Sequence, residues 1–306
     1  MSDAYLHSFA RMGTVVTIRV LHEAHTPREK RELTDAVERA TGWFQRIEET
    51  CSRFDERSEL RRLSAQIGVP VPVSAPLFQA VQFALQVAEE TSGAFDPTVG
   101  ARMEARGFNR NYRDGHIVPS ATAIGEGATY RDIHLDLADG TITLLRPLAL
   151  DLGAVAKGLA VDLAARELEP FENFTIDAGG DLYLAGHNAE GEPWSVGIRH
   201  PRDEHALIHT FFVSDAAVCT SGDYERPGNA ATGGHHLMDP RNGQAAGAAA
   251  SVTVIAPSAL MADALATAAF VLGPRDGLQL LEDSDVGGLI VTPTLEKFMT
   301  QGLCDD

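Results

Sequence analysis

The chain is short of cysteine, of positive charge and of long apolar runs, and each shortage removes a class of protein. Its three cysteines, Cys51, Cys219 and Cys304, stand far apart in 306 residues. Their odd number and scattered spacing fit neither a disulfide framework nor a zinc site. Lys and Arg number 25 against 43 Asp and Glu, a net charge of −18. That balance argues against duplex nucleic acid or an anionic membrane surface as the main partner. No apolar run approaches the roughly 20 residues of a membrane-spanning helix. Met1 to Arg11 lacks the apolar core of a signal peptide and has no lipid-accepting Cys nearby. The expectation is therefore a cytoplasmic protein without a membrane anchor. Repeats, linkers and low-complexity blocks are also missing, and the length suits one large domain or two small ones.

What is present is an ordinary globular composition, 44% hydrophobic and 22% charged, in a chain long enough to bury a sizeable core. Residues 14–20 alternate as a strand. Pro27 opens a helical pattern reaching about Cys51, with Leu33, Val37, Ala40, Phe44 and Ile47 on one stripe. Ser58-Glu-Leu60 begins a short helix, and a longer one spans about 75–92. Residues 102–127 read as irregular. Strands are expected at about 131–136 and 141–150, flanking the Asp139-Gly140 turn. Further strands are expected at 174–176 and up to Leu184, then at 194–198, 207–213, 251–255 and 286–292. A helix runs from Ser258 to about Leu272, and Thr220 to Arg226 reads as a turn. Strands and helices without steady βαβ alternation predict an α+β fold with mixed or antiparallel sheets and packed helices.

The organising stretch is Asp151-Leu-Gly-Ala-Val-Ala-Lys157-Gly158. The apolar run Leu144 to Leu150 leads into it and a helical pattern leads out, giving strand, tight Gly turn and helix. Unpaired N–H groups at such a helix start attract anions, and Lys157 adds a mobile charge. An ordinary strand-to-helix connection with a surface Lys fits the same residues. Asp263 and Thr267 lie one helical turn apart on one face, as hard oxygen ligands of the kind Mg²⁺ accepts. Equally, Thr267 can bond back to the carbonyl four residues earlier and Asp263 can be a solvated helix residue. Gly93-Ala-Phe95-Asp96-Pro97-Thr98 reads as a helix C-cap and turn, or as a backbone-lined edge for a planar ring. His236 and Asp239 read as base and orienter, as a metal pair, or as a solvated loop. Asp177 to Asp181, with paired glycines, fits a bulge between strands. Tyr224 and Trp194 read as packing residues.

The ordered set is more specific than its parts. Met12-Gly-Thr14, Ser52-Arg-Phe54, Gly93 to Thr98, Asp151 to Gly158, Gly179-Gly-Asp181, Thr220 to Arg226, His236 to Gly243 and Ala262 to Thr267 resemble, in order, the motifs of the FAD:protein FMN transferase (ApbE) family. The resemblance covers about Met12 to Leu272. It implies an ApbE-like, T-fold-related architecture, with residues 1–306 as a single domain. It also implies an enzyme that takes FAD as substrate with Mg²⁺, attaches FMN through a phosphoester to a Ser or Thr of an acceptor protein, and releases AMP. Carried over residue by residue, it implies FAD contacts at Met12, Phe54, Ala94, Phe95, Asp96, Asp151, Lys157, His236 and Leu237. It implies metal ligation by the Ala154 carbonyl, Asp263 and Thr267, with Ala266 as a further carbonyl. The attacking alcohol needs a base. His236 is the candidate, Asp239 its orienter and Asp181 the reserve, while Pro227 to Gly234 is the expected rim of the acceptor opening. The alternatives are a Mg-dependent FAD pyrophosphatase, with water as nucleophile, and a non-catalytic flavin-binding protein.

Overall fold

A computed structural model gives the architecture and describes residues 4–111, 115–118, 127–225 and 234–303. Its centre is an eight-stranded sheet. Strands β1 (Ala4–Arg11) and β2 (Thr14–Leu21) form its opening hairpin. Met12 (φ 53°) and Gly13 (φ 78°) make the two-residue turn between them, and positive φ at both positions is what a type I′ hairpin demands. A methionine in left-handed backbone is strained; Glu48 holds it there, its carboxylate accepting the Met12 N–H at 2.9 Å.

Helix α1 (Pro27–Cys51) starts where Thr26 and Glu29 form a reciprocal capping box, which satisfies two donors that a helix start leaves open. Helix α2 (Glu59–Ser64) is capped by Ser58. Strand β3 (Val71–Pro72) precedes α3 (Ala75–Glu90), whose cap is Ser74. The short α4 (Gly100–Ala105) stands in the segment expected to be irregular. Strands β4 (Ile133–Asp136) and β5 (Thr141–Leu144) pair with β3 in a small sheet. The strand expected over 141–150 thus stops at Leu144. Pro147 lacks an N–H for a ladder and biases Arg146 as well, and the segment beyond keeps only an isolated bridge from Ala149 to Val99.

Helix α5 (Gly153–Leu168) follows, then β6 (Asn173–Ala178) and β7 (Leu182–Ala185), which join β2 in the large sheet. Strands β8 (Trp194–His200) and β9 (Asp203–Val213) form a separate hairpin. Thr220, Ser221 and Gly222, expected in a turn, instead close strand β10 (Ala216–Gly222). The small hairpin β11 (Met238–Asp239) and β12 (Gln244–Ala245) precedes β13 (Ser251–Ala256). Helix α6 (Ala259–Asp283) is two helices end to end. The expected stop near Leu272 is real, because Gly273 (φ 80°, ψ −176°) and Pro274 break it, but a second segment continues beyond them. Strands β14 (Gly287–Val291) and β15 (Lys297–Met299) complete the sheet in the order β1-β2-β6-β7-β10-β13-β14-β15, antiparallel throughout. The α+β expectation holds.

Alternation along the strands sorts the core into two layers. On one face Ala217, Cys219 and Ile290 join α1, α5 and α6 in the main core. On the other, Val218, Leu289 and Val291 pack beneath β8 and β9 with Trp194, Val196 and Phe211. Trp194 is a packing residue there, its indole N–H donating to the Ala185 carbonyl at 2.9 Å. The helical layer is the one that carries the cavity described next.

Candidate active site

The cavity, about 560 Å³, opens where the β1–β2 turn, the C-terminal end of α1, the start of α5 and the first turns of α6 meet. Among the expected flavin contacts, Met12, Phe54, Ala94, Phe95 and Asp96 line it from one side. Asp151, Lys157, His236 and Leu237 line it as well, and so do the expected metal ligands Ala154, Asp263 and Thr267. Segments from Met12 to Val271 thus meet around one space. Three expected residues do not line it. Ala266 is fully buried in α6, and Asp181 and Asp239 stand behind the wall.

Asp151 turns the chain into α5. Its backbone N–H donates to the Pro97 carbonyl at 2.7 Å, and its Oδ1 accepts from the Gly153 N–H at 2.8 Å. Its Oδ2 accepts from Arg53 Nε at 2.7 Å. Arg53 is only 7% exposed. It also donates to the Phe108 carbonyl at 2.6 Å and lays its guanidinium 4.1 Å over the Phe54 ring. Arg53 therefore fixes the carboxylate and the ring together, a role the sequence reading missed although the residue sits between two that it named.

Lys157 reaches the cavity with its ammonium paired to Asp181, which is 2% exposed. This corrects the expectation of Asp181 as reserve base: its carboxylate is spent on holding Lys157. Asp239 needs a similar correction. Arg241 grips both its oxygens at 2.9 Å, and Asn242 adds a third bond at 3.2 Å. Burial pushes the Asp239 carboxyl up, but the Arg241 hydrogen bonds outweigh it and hold the group below its ordinary value. Asp239 organises the turn into β12 instead of orienting His236. The adjacent His235 is fixed by the Ala246 carbonyl at 2.8 Å and by the Leu237 N–H at 3.2 Å. That pattern leaves one ring nitrogen as donor and the other as acceptor, a neutral imidazole; burial lowers its pKa in the same sense. Asp96 accepts from Thr98 at 2.8 and 2.7 Å and from the Tyr130 N–H at 3.2 Å. It shapes the Asp-Pro turn while its edge lines the cavity. Cys51 also borders the cavity, but burial pushes its thiol up to about 12, which keeps it protonated and inert.

The donor set at Ala154, Asp263 and Thr267 fits a hard cation. In an α-helix the Gly158 N–H belongs to the Ala154 carbonyl four residues back; here it also donates to Asp263 Oδ2 at 3.3 Å. Carbonyl and carboxylate therefore flank the same N–H. Thr267 Oγ1 lies 3.2 Å from Ser221 Oγ. Among the described residues, no three His, Cys, Asp or Glu side chains converge. A cation here would rely on one carboxylate with carbonyl and hydroxyl oxygens, which would leave positions for water and phosphate as Mg²⁺ prefers. Ala266, buried and away from the cavity wall, stands apart from this set.

The expected rim Pro227 to Gly234 lies outside the described residues except for Gly234, as do Arg226 and Cys304. Among the described residues, no helix is long and apolar enough to cross a membrane.

A two-layer α+β fold with a cavity of about 560 Å³ that joins apolar side chains to clustered oxygen donors at a helix start defines a class, and comparison with known proteins gives it a family. The profile described as "ApbE family" matches residues 12–290, and the chain belongs to that family. A Treponema pallidum protein named FAD:protein FMN transferase is 33% identical, over 96% of this chain and 86% of its own length. The Haemophilus influenzae protein of the same name is 28% identical, over 95% and 87%. Among solved structures, the ApbE protein of Thermotoga maritima superposes with a TM-score of 0.83 at 31% identity, covering 98% of both chains.

Proposed function

We propose that this protein is an FAD:protein FMN transferase that cleaves FAD and attaches FMN to a Ser or Thr of an acceptor protein, releasing AMP. The observation that supports this reading best is the convergence of the family's scattered motifs on one cavity, in a chain whose relatives carry that name. Because that cavity draws on residues from Met12 to Val271, we read 1–306 as one functional domain.

The FAD pyrophosphate carries negative charge into a protein of net charge −18, so the charge needs local compensation. Lys157, aimed by Asp181, supplies it from the chain. Mg²⁺ held by Asp263, Thr267 and the Ala154 carbonyl would add Lewis-acid stabilisation of the phosphate oxygens. The acceptor hydroxyl attacks the FMN-side phosphorus. A new P–O ester bond forms, the bond from that phosphorus to the bridging oxygen breaks, and AMP leaves with the electron pair. His236 takes the hydroxyl proton, a contribution on the order of 10²–10⁴ in rate. A cytoplasmic acceptor, and a cytoplasmic location for the protein itself, belong to this proposal and are tested by cell fractionation.

Hydrolysis would use the same phosphate cradle with water as nucleophile. AMP release measured with and without acceptor separates the two readings. Transfer predicts that acceptor raises AMP release well above the FAD-only rate; equal rates across a panel containing an established cytoplasmic acceptor would favour hydrolysis.

A further inference from the structure

Helices α5 and α6 cross antiparallel and meet through two stripes of residues four apart. On α5 the stripe is Ala154, Gly158 and Asp162; on α6 it is Ala259, Asp263 and Thr267. Their contacts form successive rungs. The Asp162 carboxylate accepts from the Ala259 N–H at 2.7 Å and from the Leu260 N–H at 2.9 Å. Gly158 packs against the Ala259 backbone, and its N–H donates to Asp263 at 3.3 Å. Ala154 lies one turn further along, level with Asp263 and Thr267 on the cavity wall.

A helix start leaves four N–H groups without partners. In α6, the Ser258 side chain takes one of them, accepting from the Met261 N–H at 3.3 Å, while its carbonyl accepts the first regular helical bond, from Ala262 at 3.0 Å. Two more, those of Ala259 and Leu260, go to Asp162, 97 and 98 residues earlier in the chain. A serine cap alone would serve the helix, whereas a carboxylate from the neighbouring helix ties one to the other. This arrangement is costly to build, since burial pushes the Asp162 carboxyl up to about 6 against the bonds from Leu260 and Ala259. A desolvated acid is a poor choice for stability alone.

We infer that Asp162 is a positioning residue: by clamping the N-terminus of α6 to α5 it sets the separation between the Ala154 carbonyl on one helix and the Asp263 and Thr267 oxygens on the other. This rests on the cation reading given under Proposed function. Supporting groups of this kind typically change metal affinity about 10–100-fold when removed.

The test titrates Mg²⁺ into the FAD-saturated protein by calorimetry and follows the Mg²⁺-induced rise in Tm. Asp162→Ala should weaken Mg²⁺ binding at least about tenfold and shrink the Tm rise. Asp162→Asn, which keeps one acceptor oxygen, should fall between it and the parent; it also serves if the alanine variant does not fold. Ser258→Ala, which weakens the same helix end without touching the clamp, should leave Mg²⁺ affinity within about twofold of the parent. Parent-like affinity in both Asp162 variants would overturn the inference. An equal loss in Ser258→Ala would also overturn it, by showing that helix stability is what matters. A parent protein that takes up no Mg²⁺ would instead overturn the cation reading itself, and this inference with it.

Discussion

Replacing Gly158 by alanine tests how closely the two helices must approach. A Cβ at Gly158 would lie 2.5 Å from the Ala259 carbonyl carbon and 2.6 Å from the Leu260 nitrogen, and closer still to the Ala259 oxygen. Carbon needs about 3.5–4.0 Å from such neighbours, so α5 and α6 must part by roughly an ångström. These are backbone atoms and have no rotamer by which to escape. Alanine gains about 1 kcal/mol of helix propensity over glycine, while overpacking a tight contact costs about 1–3 kcal/mol, occasionally more. The net expectation is destabilisation by about 0–2 kcal/mol, the difference of these two terms. Gly42, within α1, is the control, because a Cβ there meets only the end of the Arg46 side chain at 3.8 Å. Gly42→Ala should therefore stabilise by about 0.5–1 kcal/mol. Urea unfolding of both variants at one temperature provides the comparison, with equal m values confirming that only stability has changed. If Gly158→Ala gains stability as Gly42→Ala does, the close crossing of α5 and α6 is refuted, and the alignment of their two stripes loses its basis.

Three other outcomes follow from the same geometry. Arg53→Ala strips a buried partner from Asp151 and should cost about 3–5 kcal/mol in urea unfolding, while Arg57→Ala, at an exposed ion pair with Asp55, should change stability by less than about 1 kcal/mol. Asp162 makes a pH prediction. Its carboxyl, raised to about 6 in the fold, binds a proton more tightly folded than unfolded, so its contribution is full below about pH 4 and is lost as pH rises through about 6. Asp162→Asn should flatten that fall of stability with pH between these limits, and an unchanged slope would assign the slope to other groups. His236→Ala should slow FMN transfer by about 10²–10⁴ while FAD affinity by calorimetry changes far less; equal losses in both would make His236 a binding residue.

The parts of the fold legible in the sequence are those with local punctuation. Pro27, Ser58 and Ser258 announced three helix starts, and Gly273-Pro274 stops the first part of α6 at Leu272 as its pattern suggested. The missed strands lack such signals. β1 is an edge strand only half covered on alternate positions, which gives it little apolar contrast. β10, Ala-Ala-Val-Cys-Thr-Ser-Gly, is covered on both faces and has no alternation to read. At the site, the residues carried over from the family resemblance line one cavity, except Asp181, Asp239 and Ala266. What the motifs could not supply were partners distant in sequence. Asp181 read as a reserve base until its Lys157 pairing was visible, Asp239 read as an orienter until Arg241 was seen to hold it, and nothing local singled out Asp162, whose partners lie 97 and 98 residues on. Arg53 was hidden in plain view between Ser52 and Phe54, since nothing local shows that its guanidinium turns inward to Asp151.

Intact-mass measurement of an acceptor protein incubated with this protein, FAD and Mg²⁺ tests the central claim most directly. The account predicts an acceptor heavier by one FMN less water, formed together with AMP, and no such adduct when the acceptor Thr is replaced by Val. An acceptor of established competence that keeps its original mass while FAD is consumed to FMN and AMP would contradict it.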